Sequence, residues 1–81
     1  MEEQKREIIK IISEQLGIPA EEISEESNFA SDLNMDQLEL TDLVLALEKK
    51  FEVEIPAEEI KNIQTVGDLL ENIINRLDES P

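Results

Sequence analysis

The sequence predicts an all-α fold, a four-helix bundle with a long loop after the first helix and a short third helix. Three observations predict it. Apolar residues step by three and four along three separate segments, the period of helices that turn one face to a core. Those segments are bounded by Asp, Thr, Pro and Gly at the places where such residues start or stop helices. No alternation of apolar and polar residues is long enough for a strand, since the best case, 51–55, lasts only five residues.

Along 2–16, Ile8, Ile9, Ile11, Ile12 and Leu16 gather on one side, while Glu7, Lys10, Glu14 and Gln15 take the other. Gly17 tolerates positive φ and Pro19 cannot extend the ladder, so the first helix is expected to stop near Leu16. Residues 20–35 lack periodicity, and Ser24, Ser27, Asn28 and Ser31 compete for backbone hydrogen bonds. That stretch reads as a long connection with one helical turn at 19–23, pinned to the core by Ile23, Phe29 and Leu33. Asp36 is expected to cap the second helix, 36–51, with Glu39 three residues on completing a capping box. Leu40, Leu43, Val44, Leu47 and Phe51 form its inner face, and Lys49 and Lys50 meet the negative end of its dipole. Pro56, followed by Ala57, Glu58 and Glu59, opens a short third helix, 57–63, that holds Ile60 and Ile63. Thr65 and Asp68 cap the fourth, 66–77, whose Val66, Leu69, Leu70, Ile73, Ile74 and Leu77 face inward. Residues 78–81 are expected to fray, and 1–81 to form a single domain.

Composition narrows the function. With no cysteine and no histidine, thiolate and imidazole metal sites, disulfides and Ser-His or Cys-His catalysis are excluded. Seven basic against 21 acidic residues leave a net charge of −14, which repels nucleic acid and anionic membranes and favours basic protein surfaces or divalent cations. The longest apolar run, 43–47, is far too short to span a membrane, and the N-terminus has no basic leader, so a cytoplasmic location is expected. Paired carboxylates could do acid–base work only in a cleft that splits their pKa values, and two phenylalanines provide no aromatic pocket for one. The chain is not expected to be an enzyme.

Asp32, Asn34 and Asp36 begin the alternating oxygen ligands of a calcium loop. Gln37 stands where that loop needs its turning glycine and Leu43 where it needs a bidentate glutamate, so no dedicated metal site is expected. Weak Ca²⁺ or Mg²⁺ binding at the crowded Glu21, Glu22, Glu25 and Glu26 remains compatible with the charge.

A longer constellation runs from Asp32-Leu33-Asn34-Met35-Asp36-Gln37-Leu38-Glu39-Leu40-Thr41-Asp42-Leu43 through Ala46-Leu47-Glu48 and Phe51 to Ile55-Pro56 and Thr65-Val66. It resembles the acyl carrier protein family, whose members read D-L-G-x-D-S-L-(D/E)-x-(V/T)-E-L, then a-L-E-x-x-F, I-P and T-V. Gln15-Leu16-Gly17 matches the end of the family's first helix, and Phe29 with Asp32-Leu33 its loop anchor, so the resemblance covers nearly the whole chain. It implies an acyl-carrier type of bundle and a carrier role in fatty-acid or polyketide-type biosynthesis and lipid metabolism. It also implies 4′-phosphopantetheine, which a transferase moves from coenzyme A onto a serine hydroxyl. Gln37 replaces that serine, so the resemblance implies a cofactor-binding position that is not competent as written. Either a serine-bearing carrier was altered at one residue, or the chain is a diverged relative that keeps the fold.

The resemblance further implies docking on basic surfaces of biosynthetic or acyl-transfer enzymes through the second helix. Asp36, Glu39, Asp42 and Glu48 would supply charge, and Leu38 and Leu45 apolar contacts. Asn34 in place of the usual glycine, Thr41 where valine is frequent, and Lys49 and Lys50 where acids are common depart from the family pattern. The protein is expected to be a monomer. The rival reading is a small acidic structural or divalent-cation-binding protein with no carrier role.

Overall fold

The computed structural model describes residues 2–78 of the chain. Four helices follow one another, α1 (Glu2–Leu16), α2 (Gln37–Phe51), α3 (Ala57–Ile60) and α4 (Val66–Asp78), and among the described residues there is no strand. The all-helical bundle with its long first loop therefore stands as the sequence predicts.

α1 buries Ile8 and Ile12, α2 buries Leu40, Leu43, Val44 and Leu47, and α4 buries Val66, Leu69, Leu70 and Ile73. These form one continuous core, with Ile9, Ile11, Leu16, Phe51, Ile74 and Leu77 half-buried at its edges. α1 stops where Gly17 takes φ 68°, and both Gly17 and Ile18 donate backbone N–H groups to Ser13 O, at 2.9 and 3.2 Å. Glycine is suited to that turn because a Cβ there is strained.

The long loop contains the expected turn, a 3₁₀ segment at Ala20–Glu22. Ile23 and Phe29 are buried and Leu33 half-buried, as the apolar loop positions suggest. A second set of bonds is invisible in the periodicity. Phe29 N–H donates to Gln64 O (2.9 Å), Val66 N–H to Ser27 O (3.0 Å) and Gly67 N–H to Glu25 O (2.8 Å), while Asn28 and Thr65 form an isolated β-bridge. The loop is thus laced to the entrance of α4, and the ion pair between Lys5 and Glu25 ties it to α1.

Three boundaries differ from the reading of the sequence, the first being the start of α2 at Gln37 rather than 36, with Asp36 as its cap. α3 ends at Ile60 rather than 63, because Asn62 N–H donates to Glu59 O and Ile63 N–H to Ile60 O, the three-residue bonds of a tightened turn. An Ile60–Ile63 spacing of three fits such a turn as well as a helix, and it still buries both side chains. At the other end Asp78 belongs to α4, while 79–81 of the expected frayed tail lie outside the described residues.

The helix caps follow the sequence closely. Thr65 Oγ1 accepts from Asp68 N–H (3.1 Å), and Asp68 Oδ2 accepts from Gln64 N–H (3.0 Å) and Thr65 N–H (3.1 Å). These backbone donors hold the Asp68 carboxyl below the usual carboxylate range. A lowered folded-state value means that Asp68 stabilises the fold above the unfolded carboxyl pKa and loses that contribution as pH falls through the folded one. Asp68→Ala is accordingly expected to cost about 1 kcal/mol at neutral pH, the usual worth of such a cap. The deficit should shrink as pH drops below the ordinary aspartate value of 3.8, as measured by urea unfolding of both proteins across acid pH.

Gly67 supplies a test of the loop lacing, since a Cβ built there comes within 3.0 Å of Glu25 O, the carbonyl that accepts its own N–H. Gly67→Ala is therefore expected to destabilise the protein by about 1–3 kcal/mol by forcing the loop away, although alanine is the better helix former. A urea midpoint equal to or above the parent's would show that the loop yields freely.

Candidate functional site

α2 begins with a complete capping box. Asp36 Oδ1 accepts from Glu39 N–H (2.8 Å), and Glu39 Oε1 accepts from Asp36 N–H (3.0 Å). Ahead of it, Met35 is buried and donates its N–H to Phe29 O (2.8 Å), so the pinned loop delivers the chain to the helix start. Asn34 makes the intervening turn at φ 60°. Asparagine is among the few residues with a Cβ that enter this left-handed region readily, which explains how the chain dispenses with a glycine here.

Gln37 is the first residue of α2 and is exposed. It lines one depression together with the buried Phe29, Met35, Leu40 and Ile63 and the exposed Lys61 and Gln64. Lys61 and Gln64 carry no local signal in the sequence, because only the tightened turn after α3 brings them beside position 37. The Thr41 hydroxyl, one helical turn on, donates to Gln37 O at 2.9 Å. That hydroxyl is turned back onto its own helix.

Along the outward side of α2, Leu38 and Leu45 are the large apolar residues left in solvent, 71% and 53% exposed. At 3.6 residues per turn, positions 38, 42, 45 and 49 fall within about 60° of arc and make one stripe. Asp42 and Lys49 are both exposed. Asp36 and Glu39 are exposed as well, although each has one carboxylate oxygen in the capping box. Glu48, which the sequence reading groups with the docking charges, is half-buried and accepts Ile55 N–H at 2.6 Å through Oε2. That oxygen holds the segment between α2 and α3, through a bond across seven residues that no helical spacing advertises.

The calcium-like start of the loop is used differently. Asp32 Oδ2 accepts Asn28 N–H (2.7 Å), Asn28 Oδ1 accepts from Ala30 and Ser31 (both 2.9 Å), and the Asp36 carboxylate caps α2. Among the described residues no three acidic side chains are gathered as a metal site. No helix among them is long and apolar enough to cross a membrane.

Comparison with known proteins agrees with this geometry. The family profile described as "Phosphopantetheine attachment site" matches residues 6–73. An acyl carrier protein of Wolinella succinogenes is 48% identical over 67 residues, covering 83% of this chain and 88% of that protein. Acyl carrier proteins of Chlamydia caviae and Chlamydia felis are 44% and 45% identical, covering 86% and 85% of this chain and 91% and 88% of theirs. The fold, the capped α2 and these similarities lead to one conclusion: the chain belongs to the acyl carrier protein family.

Proposed function

We propose that this protein is a carrier-family binding module that docks on basic surfaces of biosynthetic or acyl-transfer enzymes through α2 and does not carry 4′-phosphopantetheine. The observation that supports it most is the exposed Gln37 at the first turn of α2, directly after the capping Asp36, where the family pattern has its serine. A primary amide provides no hydroxyl to attack the pyrophosphate of coenzyme A, so the residues at this site do not fit the prosthetic group. Thr41 is no substitute, since its hydroxyl is bonded to Gln37 O and it lies one turn further along the helix.

Docking rests on chemistry that survives the loss of the serine. The outward stripe of α2 offers two exposed leucines for an apolar contact, with Asp42 between them and Asp36 and Glu39 at the N-terminal end. Apolar anchors provide most of the affinity in such an arrangement, and the charges steer the approach. With a chain charge of −14, the steering favours a basic partner. The module acts as a cytoplasmic monomer and binds without catalysing, in fatty-acid or polyketide-type metabolism.

Two outcomes test the loading half of this reading. The protein incubated with coenzyme A and a broad-specificity phosphopantetheinyl transferase is expected to keep its mass by intact mass spectrometry. A gain of one phosphopantetheine on any residue would refute the assignment. Gln37→Ser is expected to accept the group, because the capping box that presents the position is intact, as are Leu38 and Asp42 that would meet the enzyme. An exposed first-turn substitution of this kind shifts stability by only about 0.5 kcal/mol, so the variant remains folded. If the folded Gln37→Ser protein stays unmodified, recognition of α2 has been lost along with the nucleophile.

A further inference from the structure

We infer that Lys49 is a specificity determinant on the docking stripe, excluding partners whose basic patch runs the full length of α2 and favouring one with an acidic group opposite the helix's C-terminal end. The inference rests on the docking reading given above. Two adjacent lysines end α2, and the structure separates their roles. Lys50 lies about 100° around the helix from Lys49, off the stripe. Its Nζ reaches Glu7 of α1 at 3.7 Å, so it serves an ion pair within the chain. Lys49 continues the line of Leu38, Asp42 and Leu45 and is exposed.

The stripe therefore reads apolar, acidic, apolar, basic, from the N-terminal end of α2 to its C-terminal end. Asp42 and Lys49 are seven positions apart, about 10 Å along the axis at 1.5 Å per residue, slightly more than one Debye length at physiological salt. A partner covering the stripe meets negative charge at Asp42 and positive charge at Lys49. A uniformly basic groove that attracts Asp36, Glu39 and Asp42 meets like charge at Lys49, and like-charge juxtaposition is an effective way to reject a wrong partner. Glu48 lies about 100° around the helix from Lys49, off the stripe, and is half-buried with Oε2 on Ile55 N–H at 2.6 Å.

The test measures binding of the full, unmodified chain to an immobilised broad-specificity phosphopantetheinyl transferase by surface plasmon resonance, a readout that needs no group transfer. The parent is compared with Lys49→Glu, Lys50→Glu and Leu38→Ala, each checked for helicity and melting temperature. Lys49→Glu is expected to tighten binding about three- to tenfold at low salt, with the gain shrinking in about 0.5 M NaCl as the charges are screened. Lys50→Glu is expected to change it less than about twofold, as an exposed charge away from the contact should. Leu38→Ala, which probes docking itself, is expected to weaken binding about tenfold. If Leu38→Ala has no effect, the docking reading falls. If Leu38→Ala weakens binding but Lys49→Glu gains no more than Lys50→Glu, the docking reading stands and the assignment of Lys49 is overturned. Absence of binding by both the parent and Lys49→Glu also overturns it.

Discussion

The arrangement depends on the burial of Phe29 and the backbone bonds around it. Its N–H is held by Gln64 O and its own carbonyl accepts Met35 N–H, so one loop residue is bonded at once to the entrance of α4 and to the approach to α2. The connection from 17 to 36, with only one 3₁₀ turn of its own, would otherwise leave the start of α2 without a fixed position. Closing a long loop costs only logarithmically more than closing a short one, so one buried aromatic and a few backbone bonds suffice to fix it. The bonds from Val66 and Gly67 to Ser27 and Glu25 put the same loop over the N-terminus of α4. Gly67 is what permits so close an approach of backbone to backbone.

Charge is the opposing constraint. A net charge of −14 on 81 residues repels itself, and the protein places several of its carboxylates where they are useful. Asp36 and Asp68 sit at positive helix ends and accept backbone N–H groups, and Asp32 and Glu48 bond loop backbone. Arg76, bonded to Asn72, also holds Glu59 of α3 against α4, which keeps the Glu59 carboxyl below its ordinary range. Carboxylates used in this way cost less than free ones and are correspondingly less available to a partner. The outward charge of α2 is thus narrower than its sequence suggests, with Asp42 between the exposed leucines.

What was legible in the sequence was what is local. The core faces of α1, α2 and α4 follow from apolar spacing, and both capping boxes follow from acids three residues beyond a capping side chain. The end of α3 was not legible, since Ile60 and Ile63 are buried equally well by a helix or by the tighter turn that forms. Nor were the Asn28–Thr65 bridge, the Gly67–Glu25 approach or the Glu48–Ile55 bond, each of which joins residues brought together only by packing. For the same reason the sequence could note Lys49 and Lys50 as a pair of departures but could not divide them. It takes Glu7, on another helix, to show which lysine is used within the chain.

The residues that present position 37 are independent of the residue that occupies it. Asn34 enters the left-handed region, Met35 anchors the chain in the core, and Asp36 with Glu39 closes the cap, and none of these contacts involves the Gln37 side chain. Replacing a serine there would leave the helix start intact, because the fold bonds this residue only through its backbone, including the carbonyl that accepts the Thr41 hydroxyl. In the docking reading proposed above, carrier chemistry and partner docking are therefore separable, the first needing a single exposed side chain at position 37 and the second the exposed charges and leucines of α2 around it. A chain that loses the first need not lose the second. On that reading, selection on its partners acts on the outward side of α2, where Lys49 stands.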